Sequence, residues 1–134
     1  MIEVVRDPDA EAPAFPDAWL IEAAQAAFAA ARVSPRPLTI RVASDATVKA
    51  LNARFRGVDK PTDVLSFPMD EPDYLGDVAL GFPFVAREAE RLGVPLEAHL
   101  KHLVIHGVLH LLGYDHEADD DARRMQALER EAMQ

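Results

Sequence analysis

The chain has 134 residues, 49% of them hydrophobic and 28% charged, with a net charge of −9 and no cysteine. That length buries one core without covalent staples, so residues 1–134 read as one globular domain, and the missing thiols exclude disulfides, thiolate metal sites and cysteine catalysis. The acidic total argues against a general nucleic-acid binder, and DNA is not an expected partner.

In chain order, Ile2 to Val5 form a short apolar strand and DPDAEAP a loop. Residues 15–33 are alanine-rich, with Pro16 near the start and Asp17 available as a cap, which predicts a helix that SPRP stops. LTIRVA (38–43) alternates apolar and polar positions and reads as a strand. Ser44 or Asp45 then caps a helix, ATVKALNARF, with Val48, Leu51 and Phe55 at helical spacing. After the turn GVDKPT comes a strand over 63–68, ended by Pro68, then an acidic loop and a strand over 74–82. Pro83 opens a helix closed by Gly93. Pro95 opens the next, which runs to Gly113, and residues 119–133 form a terminal helix. The order βαβαββααα predicts an α+β fold: one four-stranded mixed sheet with about five helices packed on it. The opening MIEVVRDPDAEAP lacks a basic-then-apolar leader, and no apolar run reaches spanning length, so a cytoplasmic protein without membrane contact is expected.

Charge is unevenly placed. Residues 32–60 hold seven basic and two acidic residues, whereas 61–134 hold six and fifteen. Four of the five histidines fall in HLVIHGVLHLLGYDH, residues 102–116. In the helix from Pro95, His99, His102, His106 and His110 are three, four and four residues apart, which puts them along one side. Four satisfied structural imidazoles on one face are less common than a metal site.

Spacing selects the ligands. His106 and His110 are one turn apart and close on one ion. His102 and His110 are two turns apart, roughly 12 Å, too far to share it on a straight helix. Gly113 breaks the helix and brings His116 back, giving His106, His110 and His116. Three neutral nitrogens suit one zinc per chain with an open fourth position, where a water has its pKa lowered towards about 7. The spacing also matches the metzincin pattern H-E-x-x-H-x-x-G-x-x-H, except that Gly107 replaces the general-base glutamate. That exchange disfavours a peptidase. Phosphodiester cleavage leans less on the glutamate, because metal and arginine neutralise phosphate charge.

With HGVLHLLGYDH, LNARFRGVDKPTDVLSFP (51–68) and LGDVALG (75–81), the chain resembles the YbeY family of bacterial metal-dependent endoribonucleases over roughly residues 40–117. The resemblance implies an RNA hydrolase acting in ribosomal RNA maturation, at the 3′ end of the small-subunit RNA, and in ribosome quality control. It implies ribosomal RNA and the ribosome as partners, with further protein partners in assembly. It places the metal ligands on His106, His110 and His116 and the motif arginine on Arg56. Arg56 also falls in the basic block, where a guanidinium fork suits a phosphate. Arg54 and Lys60 are candidates for tracking the RNA backbone. Asp115 is a candidate for orienting a ligand imidazole, Asp77 for a supporting role, and His102 for facing substrate or moving a proton. His99 reads as peripheral. The basic block is expected to form one wall of a groove, with the acidic 1–31 and 117–134 segments facing away. The alternatives are another metallohydrolase, such as a metzincin-like peptidase, and a non-catalytic ribosome assembly factor.

Overall fold

The computed structural model describes all residues except His116, together with every side chain but that of Asp70. Its elements are β1 (Ile2–Arg6), a 3-10 turn (Pro8–Ala10), α1 (Asp17–Ala31), β2 (Leu38–Ser44), α2 (Asp45–Arg56), β3 (Val64–Glu71), β4 (Tyr74–Phe82), α3 (Phe84–Leu92), α4 (Leu96–Leu111) and α5 (Asp119–Met133). The strands form one mixed sheet in the order β1-β2-β4-β3, with β1 and β4 parallel to β2 and β3 antiparallel to β4. The α+β expectation, with four strands and five helices, holds.

Strand alternation divides the core into two faces. Leu38, Ile40 and Val42 of β2 and Val78, Leu80 and Phe82 of β4 turn to one side. There they meet Leu20, Ala24 and Phe28 of α1 and Leu100, Val104 and Val108 of α4. The alanines of α1 leave room for α4 beside it, and Ala23, Ala24 and Ala27 are all buried. The other face carries Ala43, Leu65 and Ala79 under Val48 and Leu51 of α2.

Local signals are used in ways that differ in detail from the sequence. Ser44 caps α2, its Oγ accepting from the Thr47 amide at 3.0 Å. Asp45 instead accepts from the Phe84 amide at 3.0 Å and so caps α3, closing a side-chain link between two helices. Asp17 does not cap α1; Pro16 occupies that position and Asp17 pairs with Arg6 at 2.7 Å. Pro68 does not end β3, which runs on to Glu71 with a register irregularity between Pro68 and Glu71. An outermost strand tolerates a missing donor that an inner strand does not. Phe55 is 57% exposed rather than in the core. It meets the edge of the Phe67 ring at 5.2 Å and lies under the Arg54 guanidinium.

Candidate active site

The site is built where α4 crosses β3 and β4. Gly107 makes the crossing close. A Cβ there would lie 2.8 and 3.1 Å from the Val78 methyls and 3.3 Å from Ser66 Oγ. Ser66 Oγ donates to the Gly107 carbonyl at 3.0 Å, tying strand to helix. A glutamate at 107, as in the peptidase pattern, has no space. The glycine is explained by packing, and the same packing removes the peptidase's general base.

His106 and His110 leave α4 on the side facing β3, with ring centroids 4.6 Å apart and planes nearly perpendicular. They line a cavity of about 600 Å³ with Arg56, Ser66, Asp115 and Glu117. Gly113, at φ 99°, turns the chain out of α4 in a conformation that a side chain would strain. His116, the third expected ligand, lies outside the described residues. Arg56 ends α2, where a cation is favoured by the helix dipole. It lines this cavity and also one of about 850 Å³ against Phe55, Phe67 and Asp77 on the sheet's other face. Because β3 is the outermost strand, Arg56 stands at its rim, between the two faces.

Two carboxylates from other elements grip the histidine stripe. Glu129 of α5 is 9% exposed. One of its oxygens meets His106 Nδ1 at 2.7 Å and the other meets His102 Nε2 at 3.1 Å. Burial alone would raise the Glu129 pKa, but the two imidazole hydrogen bonds and their charge bring it down to about 2. The same hydrogen bond raises the pKa of His102, against its partial burial. One turn towards the start of α4, His99 Nε2 lies 2.7 Å from Glu88 Oε1 of α3. Burial and a hydrogen bond with Asp63 raise the Glu88 pKa, while His99 pulls it down. Asp63, Glu88 and His99 bring one donor atom each to within 4.8 Å of one another, a group that could hold a metal ion. Asp63 is itself fixed, Oδ1 accepting from the Val64 amide at 2.7 Å. A third cavity, of about 860 Å³, runs past Glu88, His99, His102 and Glu129, and it adjoins the one at His110 and Arg56 through Asp63 and His106, which line both.

Residues 12–134 match the profile of the family described as Endoribonuclease YbeY. The chain belongs to this family. It is 48% identical over 124 residues to the Endoribonuclease YbeY of Chelativorans sp. (strain BNC1), covering 86% of this chain and 76% of that one. To its counterpart in Rhodopseudomonas palustris (strain BisB18) it is 47% identical over 122 residues, covering 84% and 72%. A Thermotoga maritima protein whose solution structure is known superposes with a TM-score of 0.63 at 27% identity, over 98% of this chain and 89% of that one.

Against this YbeY framework, the residues read from sequence fall into groups. His106, His110, Arg56 and Asp115 share one cavity. Asp115 Oδ1 accepts from the Glu117 amide at 3.2 Å. Asp77 lies across the sheet, bonded to the Tyr74 hydroxyl and lining the cavity on the α2 side. Lys60 contributes its carbonyl, accepting from buried Asn52 at 2.9 Å, which fixes the turn after α2. The basic block is only partly a wall: Arg41 is paired with Asp7 at 2.8 Å and Arg36 donates to the Glu71 carbonyl. The acidic tail does not face away as a whole, because Glu117 and Glu129 stand at the two cavities. His99, read as peripheral to the site, is buried at 7% exposure and paired with Glu88. Glu129 and Glu88 were not singled out from sequence. A signal for Glu129 was present: it lies four residues after buried Met125, so a charge sits on the apolar face of α5.

Proposed function

We propose that this chain is a zinc-dependent, single-strand-directed endoribonuclease that acts in ribosomal RNA processing and ribosome quality control in the cytoplasm. The carrying observation is the convergence of His106, His110 and Arg56 on one open cavity. Two neutral imidazoles one helical turn apart suit a borderline-soft divalent ion, and His116 is the proposed third ligand. His106 offers Nε2 for this, since its Nδ1 faces Glu129. When bound, zinc supplies Lewis-acid charge at the phosphate. Arg56 receives phosphate oxygens with its guanidinium fork and balances charge that develops during cleavage. Arg54 is proposed to touch the RNA backbone beyond it. One zinc per chain, one domain over residues 1–134, and ribosomal RNA and assembly proteins as partners complete this reading.

A second metal assignment draws on the approach of Asp63, Glu88 and His99. The 2.7 Å separation between His99 and Glu88 suits a direct hydrogen bond, which favours the His106 and His110 pair, facing the cavity shared with Arg56, for the catalytic ion. Elemental analysis beside cleavage of a structured ribosomal RNA fragment decides the matter. The expected result is one zinc, lost with cleavage in His106→Ala and His110→Ala and kept in His99→Ala and Glu88→Gln. Zinc lost only in the latter two would move the ion to the carboxylate group. Casein hydrolysis without RNA cleavage would restore the peptidase.

A further inference from the structure

We propose that Glu129, on a helix apart from the histidine motif, is the positioning residue for the metal site: one oxygen fixes His106 as an Nε2 ligand and the other holds His102 out of the ligand set. This rests on the reading of His106 as a ligand, and its test separates the two.

The placement follows from α5. Met125 is 1% exposed and packs in the main core, so the residue four positions on is carried to the same side, against α4. His102 and His106 are themselves one turn apart on the facing side of α4. A carboxylate with two oxygens is matched to two imidazoles at that spacing, and both oxygens are used, at 2.7 and 3.1 Å.

The chemical consequence differs between the two rings. An ionised carboxylate only accepts hydrogen bonds. His106 must therefore donate from Nδ1, and in the neutral ring, the form that binds a metal, the proton is then off Nε2, which is the nitrogen offered to the ion. The bond also sets the ring plane and raises the basicity of Nε2. His102 is held through Nε2 instead, so the nitrogen at the tip of its ring is spent on Glu129. One side chain thus separates two imidazoles that the sequence places on the same stripe. Arg56 and His110 line the neighbouring cavity, whose described lining does not include Glu129.

The test measures zinc affinity by competition with a chromophoric chelator, with long-range proton–nitrogen spectra of the zinc-free histidine rings. Glu129→Ala is expected to weaken zinc binding by roughly 10- to 100-fold, and His106 is expected to pass from Nδ1-protonated to a mixture of tautomers. Glu129→Gln conserves size and serves if the alanine variant fails to fold. It is expected to weaken zinc less and to disturb the same ring signals. His102→Ala is expected to bind zinc as wild type does, because it removes only the second arm. Wild-type zinc affinity in both Glu129 variants, with His106 still Nδ1-protonated, would overturn the proposal. Wild-type affinity in His106→Ala would instead overturn the ligand reading beneath it.

Discussion

The two halves of α4 use the same residue type to opposite ends. Near its start, His99 is buried, and its ring nitrogen is taken by Glu88 with Asp63 behind. Near its end, His106 and His110 are only partly buried, sit ring against ring, and face a cavity that also holds Arg56. Spacing along the helix, three or four residues, keeps the rings on one side throughout; what differs is which neighbouring elements reach them. Glu88 of α3 closes on His99, whereas His106 and His110 line a cavity together with residues of β3 and of the turn after α4. A histidine stripe is therefore not one site, and its function is assigned by the partners that reach it from elsewhere.

That contrast is broken most severely at the open end. His106→Ala and His110→Ala are expected to lose zinc and at least about 100-fold in RNA cleavage, roughly the loss of a metal's charge stabilisation. Elemental analysis and a cleavage assay on the same samples check both effects. Next in size, Arg56→Ala is expected to keep zinc and fold while losing about 10- to 100-fold in cleavage. Arg56→Lys should restore little, since a point charge does not reproduce the two-pronged fork. Wild-type rates in either Arg56 variant would remove it from the mechanism.

The closed end should respond in stability instead. His99→Ala leaves Glu88 beside Asp63 without its imidazole, a cost of about 1–3 kcal/mol read from denaturant midpoints, with zinc content unchanged. Gly107→Ala is expected to cost a similar amount, about 1–3 kcal/mol, by forcing α4 off Val78.

Acid sharpens the comparison further. In the metal-free protein the Glu129 carboxyl lies at about 2 against an ordinary 4.5. A lowered pKa stabilises the fold above the ordinary value, and that stability is lost as pH falls from about 4.5 towards 2, amounting to about 3 kcal/mol as an upper bound. His102 shifts the other way; its share is present below the ordinary 6.5 and is lost as pH rises through its raised value. The His102 shift and part of the Glu129 shift describe the same hydrogen bond and are not to be added. Unfolding midpoints of wild type and Glu129→Gln across pH 2–7 should converge at the acid end and diverge above it. Parallel curves would show that the pair contributes no pH dependence. The smallest effect is expected in RNA binding: with two or three phosphates engaged, log affinity should fall with log salt at a slope of about −2.

Much of this is legible in the amino-acid sequence. Alternation marks β2 as a strand, proline and glycine mark the limits of α3 and α4, and the histidine spacing marks one side of α4. What escaped the sequence was long-range. Glu129 is 23 residues from His106 and Glu88 is 11 from His99, and in each case the two partners lie on different helices, so no spacing within a helix links them. Gly107 read as a missing catalytic glutamate; only the neighbouring sheet reveals it as a spacer. Phe55 fitted the helical period but falls where α2 runs past the sheet, so its ring packs on Phe67 at the surface. The basic block was a count along the chain, and pairing with Asp7 and with the Glu71 carbonyl removes part of it from any RNA track.

Pro68 carries a consequence for how copies of the molecule meet. β3 borders the cavity and is also the sheet's outer strand on that side, and such a strand is a template on which a second chain can polymerise. A residue with no amide proton, followed by a slipped register before Glu71, interrupts the hydrogen-bonding comb that an incoming strand would need. The rim beside Arg56 is therefore poorly suited to zippering by a neighbour's backbone and stays accessible to a polymer that binds through phosphates and bases instead.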